Sequence, residues 1–318
     1  MKRFLFDILL FALLVLGIAI VGDLIVSYGL RQTTIRKYAV WNDIYQGNDL
    51  DNDLVFVGSS SCMVGFNPLI VDSILGISSY NLAINGHAWY PCQSLRYDTY
   101  VHYAKQPKYV VIVIDNSTFS IDDTPLEREQ FFPYFWMDDS LISSIRSCKE
   151  ISFMERYCPM WRYIGYRDEI ENGVLSTFGR KHFDDDNIYK GYVGYDYSWD
   201  RTRLDNLTTI HLDVYPDIVN SFLLFIEQRK KAGQIVVLVN RPEYYEVLDH
   251  YTNRDEMAAL YDSIAAVAGV EYLDYWDEPS IVRDSTYFYN TTHLNIIGSE
   301  FMSIKFAHDL DSLVCIVR

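Results

Sequence analysis

The sequence predicts an α/β sandwich of three layers, a central parallel sheet covered by helices on both faces. Two observations predict it. From Asp53 onward, short apolar runs of β-forming residues alternate with amphipathic stretches at helical spacing, the pattern of βαβ units whose central strands are buried on both sides. The helical stretches also carry their own punctuation: Asn67 stands before Pro68, and Ala232-Gly233 follows Lys231, which places cap and breaker residues where helices begin and end. A chain of 318 residues, 49% of them hydrophobic, can supply one large core or two smaller ones. The preferred reading is one soluble domain on an anchor.

The anchor comes first. After Lys2 and Arg3, Ile8 to Val21 contains no charged or strongly polar side chain, and Leu24-Ile25-Val26 follows Asp23. Together these approach bilayer-spanning length. Val26-Ser27-Tyr28-Gly29 is a poor cleavage site for a signal peptide, so the segment reads as an uncleaved anchor. Lys2 and Arg3 favour an inside N-terminus against the opposing vote of Arg31, Arg36 and Lys37, which puts the domain outside the cytoplasm. The resulting division is an anchor over 1–30, a linker over 31–52 and the sandwich over 53–318.

Within the sandwich the strands read as 54–57, 80–83, 109–114, 235–239 and 271–273. The helices open at Pro68 and run over 218–231, 254–267 and 297–313. Five parallel strands with right-handed crossovers give a flavodoxin-like order. The alternation stops between Asn116 and His211, where Tyr, Trp, Phe and Asp dominate. This long insertion after the third strand, 117–210, leaves the carboxyl edge of the sheet, where ligands bind. It reads either as a substrate-shaping cap or as a subdomain packed on its own aromatics. Asp184–Asp186 within it reads as a solvated acidic loop in preference to a calcium site, since EF-hand spacing is absent.

Composition excludes several classes. A formal net charge of −16 argues against a nucleic-acid partner, because phosphate backbones are held by clustered Lys and Arg. The 26 Tyr and 6 Trp suit both ordinary cores and stacking on sugar faces. Cys62, Cys92, Cys148, Cys158 and Cys315 form no CxxC pair, so no metal site is expected. Cys62 and Cys92 are the pair to test for a disulfide, with small buried hydrophobes as the other reading. Gly58-Ser59-Ser60-Ser61 lacks the glycine spacing of a phosphate loop, and no cofactor is expected.

Chemistry concentrates at two places. The first strand runs straight into Gly58-Ser59-Ser60-Ser61 and then through a loop towards Asn67-Pro68. A hydroxyl there projects above the sheet, beside backbone N–H groups that can face a developing oxyanion. The same turn also fits a capping loop or an anion nest. The second place is Phe288 to Gly298, where His293 lies in a polar loop before the last helix. An imidazole titrating near neutrality suits a general base. Ser60 and His293 share the carboxyl edge of one sheet if the topology above holds.

Four segments, taken in order, resemble the blocks of the SGNH, or GDSL-like, hydrolase family. Gly58-Ser59-Ser60 looks like the nucleophile block, Asn81-Leu82-Ala83-Ile84-Asn85-Gly86 like the glycine block, Ile114-Asp115-Asn116 like a blurred asparagine block, and Asn290-Thr291-Thr292-His293 like the terminal Asp-x-x-His block. The resemblance implies Ser60 as nucleophile, His293 as base, and Ser60, Gly86 and Asn116 as oxyanion donors. Asn290 stands where the family has its triad aspartate. Such an amide can orient an imidazole but cannot stabilise imidazolium by charge. Asp284 is then either a substitute carboxylate or a loop cap.

The closer likeness is to single-anchor bacterial envelope proteins that work with membrane-bound O-acyltransferases. It implies acyl-ester hydrolysis or O-acyl transfer, of O-acetyl type, on an envelope polysaccharide or other acylated carbohydrate. Ser61, Arg241, Glu243 and Asp284 would border the cleft, the Arg241–Glu243 pair otherwise being a surface ion pair. The competing class is an accessory or binding module that keeps the fold after its triad has decayed.

Overall fold

The computed structural model describes residues 1–48, 50–86, 92–121, 127–148, 150–180 and 187–315. The chain divides into two compact units, one of 1–42 with 125–186 and the other of 43–124 with 187–318.

The larger unit is the α/β sandwich. Its sheet contains β1 (Leu54–Val57), β2 (Ser79–Asn81), β3 (Tyr109–Ile114), β4 (Ile235–Asn240) and β5 (Glu271–Asp274). They are parallel and lie in the order β2-β1-β3-β4-β5. Every residue of β1 and β3 is buried, which explains their unbroken Val and Ile content: no strand face meets water. β5 is an edge strand with Glu271 and Asp274 exposed, and charge there discourages edge-to-edge pairing. The second strand, expected at 80–83, is Ser79–Asn81. Beyond it the main chain still follows β1, since Leu82 N donates to Phe56 O and Ile84 N to Gly58 O at 2.9 Å each.

Helices cover both faces of a parallel sheet because each crossover must return over one of them. Asn67 caps the helix Pro68–Leu75 by accepting from Leu69 N at 3.0 Å, and Pro68 at the first position forgoes a donor that has no partner there. The helix Pro216–Lys231 starts two residues before its expected 218 because Pro216 takes that same first-turn place. Gly269 closes the helix Arg254–Ala268 in the left-handed region, at φ 60°. The terminal helix Ile296–Val314 buries Met302, Phe306 and Leu310, with Phe306 ring-packed on Phe56 and Phe66 at 5.4 and 5.3 Å. Such a side chain contributes about 2–3 kcal/mol by leaving water.

The smaller unit is helical. The helix Lys2–Leu30 is long and apolar enough to cross a membrane. In its last two turns Asp23, Val26, Ser27, Gly29 and Leu30 are buried by protein. They pack on the helix Arg167–Thr177, where Gly29 and Gly173 leave no room for a side chain: a Cβ on Gly29 would lie 1.7 Å from Gly173 O. Asp23 and Arg162, both buried, form an ion pair, and Ser27 Oγ meets Tyr163 OH at 2.8 Å. Trp41, Phe131, Phe132, Tyr134 and Tyr163 fill the unit's own core.

The aromatics between 117 and 210 therefore divide. Those of 131–163 build the helical unit, whereas Tyr192–Trp199 belongs to the sandwich. Asp184–Asp186 lies outside the described residues. No disulfide joins Cys62 to Cys92. Cys62 is a fully buried thiol whose nearest polar partner is Asn81 Oδ1 at 3.8 Å, and burial pushes its pKa well up, so it acts as a small hydrophobe.

Candidate active site

The carboxyl end of β1 builds the first half of the site. A Cβ on Gly58 would lie 2.8 Å from both Val113 O and Cys62 Cβ, so only glycine lets the chain turn this tightly against β3. Ser59 then takes an extended N-cap conformation and Ser60 opens a short helix, Ser60–Gly65. A loop was expected at this point. The helix forms because Met63 N can donate back to Ser59 O at 3.1 Å, and it places the Ser60 N–H among first-turn donors that lack intrahelical partners.

The second half is a hairpin of Phe288–Asn290 and His293–Leu294. Ser60 Oγ lies 2.9 Å from His293 Nε2. On the other side of the ring, His293 Nδ1 lies 3.1 Å from Asn290 Oδ1 and 3.0 Å from Thr292 Oγ1. A proton on Nδ1, donated to Asn290, leaves Nε2 as acceptor for the serine hydroxyl. That hydrogen-bond pattern assigns the tautomer. Asn290 Oδ1 also accepts the backbone N–H groups of Thr292 and His293 at 3.0 Å each. One amide oxygen thus shapes the turn and orients the ring.

Electrostatics reveal how unusual this histidine is. Burial, reinforced by the charges of Arg241 and Arg203, holds the His293 imidazole down to about 3, against a weaker upward pull from Asp115. It is neutral throughout the physiological range and a poor proton acceptor.

Beneath the serine turn lies a charge network that motif reading did not assign. Asp115, the first residue after β3, is buried. It accepts hydrogen bonds from Ser59 Oγ, from Ser61 Oγ at 3.2 Å, and from Ser117 N and Oγ at 2.9 and 2.8 Å. Burial pushes its carboxyl up, but the Arg241 charge and these donors outweigh burial and hold it below the ordinary carboxylate range. Arg241 is buried as well and pairs with Glu243 at 2.7 Å. Trp276 Nε1 donates to Glu243 Oε2 at 2.8 Å and Tyr251 OH to Oε1 at 3.1 Å.

The remaining expected residues sort plainly. Gly86 follows the segment that tracks β1 up to Gly58 and adopts φ 72° with open space where a side chain would be. Both amide protons of Asn116 are taken, by Tyr251 OH at 2.7 Å and Glu243 at 3.3 Å, so the oxyanion role expected of it falls away. Ser61, expected at the cleft, is buried and turned to Asp115. Arg241 and Glu243 form a buried pair and not the surface pair considered for them, because the fold packs Trp276 and Tyr251 onto Glu243 and sets Asp115 near Arg241. Asp284 is exposed and caps its own turn, accepting from Thr286 N at 2.9 Å and Thr286 Oγ1 at 2.7 Å. The imidazole faces Asn290 and Thr292 in its place.

One aromatic ring packs on the histidine, and two more pack on that ring. Tyr289 stacks on His293 with centroids 5.4 Å apart and planes 19° from parallel. Tyr195 and Tyr197 stack on each other at 5.1 Å and both meet Tyr289 edge-on. Their density in Tyr192–Trp199 was the available signal. Asp115 had one too, as a carboxylate ending a six-residue apolar strand, whereas Thr292 offered none beyond lying next to the histidine.

No protein-family model and no curated protein sequence matches the chain. Among solved structures it is similar to a family two carbohydrate esterase from Clostridium thermocellum in complex with cellohexaose, with a TM-score of 0.42 and 10% identity over 83% of this chain. The chain spans 65% of that esterase's length. A likeness this distant carries no argument about chemistry, so the site stands on its own geometry: a serine hydroxyl, an imidazole and an amide in one hydrogen-bonded line.

Proposed function

We propose that the protein is a serine-dependent acyl-ester hydrolase or O-acyltransferase, of O-acetyl type, acting on carbohydrate of the cell envelope. The observation that carries this reading is the 2.9 Å contact of Ser60 Oγ with His293 Nε2, whose far side is held by Asn290. His293 takes the Ser60 proton as Oγ attacks the ester carbonyl. The Ser60 and Gly86 amides face the oxyanion, and the alkoxide leaves with the proton returned by His293. Water or a sugar hydroxyl then receives the acyl group from Ser60 by the reverse sequence. The tyrosines beside His293 offer flat faces to a sugar ring. The N-terminal helix tethers the domain on the outer side of a membrane, within reach of an envelope polymer and of a membrane-bound O-acyltransferase as partner. Full-length protein in detergent should release acetate from an acetylated oligosaccharide, and Ser60→Ala or His293→Ala should abolish it. Equal release by wild type and both variants would overturn the assignment.

One observation favours a second reading, a carbohydrate-binding accessory module that does not turn its ligand over. Asn290 leaves the imidazolium without a counter-charge, and the His293 pKa of about 3 weakens it as a base. Saturable binding of the acetylated oligosaccharide with no acetate released at any pH would select the module.

A further inference from the structure

We infer that the segment Phe153–Ile164, together with Phe178, is a membrane-interface belt that lies in the headgroup region of the bilayer crossed by the N-terminal helix. This rests on reading that helix as membrane-spanning and adds a lipid-binding surface to it.

The helix is exposed on every side along its apolar length, and protein buries one face of it only from Asp23, with Leu24 and Tyr28 on the other face still half exposed. From Lys2 to Gly22, at about 1.5 Å per residue, the exposed part measures roughly 31 Å, close to the ~30 Å hydrocarbon thickness of a bilayer. Gly22 and Asp23 therefore mark one boundary of the apolar layer.

The helical unit fixes two aromatic segments at that boundary. Met160 N donates to Asp23 Oδ2 at 2.8 Å, the Met160 sulfur sits 3.5 Å from where a Gly22 side chain would begin, and Arg162 pairs with Asp23. On the second segment, Thr177 Oγ1 donates to Ile25 O at 2.7 Å, placing its neighbour Phe178 within a turn of the same level.

Those segments carry apolar side chains that their own unit does not cover. Phe153 is 70% exposed, Tyr157 57%, Trp161 46%, Ile164 66% and Phe178 69%. The charges among them are turned away: Arg162 is buried, and Arg156 is buried against Phe135 O and Asp139. Glu155 is paired with Arg128 at 2.6 Å. Large amphipathic rings whose neighbouring Glu155, Arg156 and Arg162 are paired, at the end of a spanning helix, match the aromatic belts that sit at headgroup depth. In water the same cluster would be an uncovered apolar patch.

The test uses the full chain in liposomes of phosphatidylcholine and phosphatidylglycerol. Lipids brominated near the headgroup end of the acyl chain quench tryptophans that reach them. Trp161→Phe should remove most of the lipid-quenchable emission, whereas Trp199→Phe, in the sandwich, should leave it unchanged. Alkaline carbonate extraction is run on the same samples. Protein retained by the membrane with quenching unaltered in Trp161→Phe overturns the belt while leaving the anchor. Protein released by carbonate overturns the spanning reading and the belt with it.

Discussion

The two halves of the candidate site are supported by opposite chemistry. The serine turn rests on an ionised, buried carboxylate, Asp115, which ties Ser59 and Ser61 together and is balanced by Arg241, a guanidinium it shares with Glu243. The histidine rests on a neutral amide, Asn290, and a hydroxyl, Thr292. Charge has thus been placed where it fixes backbone and left out where a triad would use it to stabilise imidazolium. The contrast teaches that geometry and reactivity are separable: the pair is aligned, and its base is weak.

Removing the nucleophile tests the reactive half most severely. Ser60→Ala should reduce esterase or transferase turnover on the order of 10⁴-fold or more, with the unfolding midpoint unchanged because the hydroxyl is half-buried and, among the described residues, hydrogen-bonds to His293 alone. A loss below tenfold would mean that the reaction does not pass through Ser60.

Breaking the charged half should act on stability. Asp115→Asn puts an amide donor where one of the two carboxylate oxygens accepts from the turn serines or Ser117, while Arg241 keeps Glu243 as its counter-charge, costing about 1–3 kcal/mol, read by urea denaturation. A change under ~1 kcal/mol would show that the network is not what holds the turn.

Restoring charge to the neutral half sharpens the comparison. Asn290→Asp should raise the His293 pKa towards its ordinary value and increase turnover by about tenfold or more. The pH dependence follows in sign. Wild type keeps His293 neutral, so turnover should stay flat from neutrality down towards pH 4, and the acid limb should move upward in the variant. Because the folded pKa of about 3 lies below the unfolded value of ~6.5, the unfolded chain binds the proton first. The stability present above pH ~6.5 is then lost as pH falls towards 3. Thermal melts across that window should show this loss shrinking in Asn290→Asp; an unchanged acid limb would remove Asn290 from the imidazole's control.

The smallest effect belongs to Gly86. Its φ of 72°, with no atom of the described residues within 4 Å of where a Cβ would lie, means that Gly86→Ala adds backbone strain of about 1–2 kcal/mol, plus any displacement of its N–H. A fall in turnover larger than that strain implies, with KM unchanged, would support the oxyanion role. Turnover equal to wild type would count against it.

Much of the sandwich was legible because its signals are local. Buried parallel strands read as Val- and Ile-rich runs, and Asn67-Pro68 announced a helix that starts at Pro68. Ser60 and His293 were legible from their position at strand and helix ends. The short helix at Ser60 was not, since Ser59-Ser60-Ser61-Cys62 has no apolar period. Nor was the division of 117–210, because its helical part packs on Asp23 to Leu30, far away in sequence, and no local pattern encodes that pairing. The linking of Asp115 to Arg241 and Glu243 was missed for the same reason: Arg241 and Glu243 read as a pair at the cleft or on the surface and Asp115 as part of a motif block, and only the fold buries them together.

The central claim is that Ser60 and His293 form a reactive pair despite the neutral third member. Labelling full-length protein with a fluorophosphonate and locating the adduct by peptide mass spectrometry tests it most directly. The account predicts a single adduct on Ser60, absent in Ser60→Ala, slow in wild type and faster in Asn290→Asp. No adduct on Ser60 in either wild type or Asn290→Asp, or labelling that persists in Ser60→Ala, would contradict it.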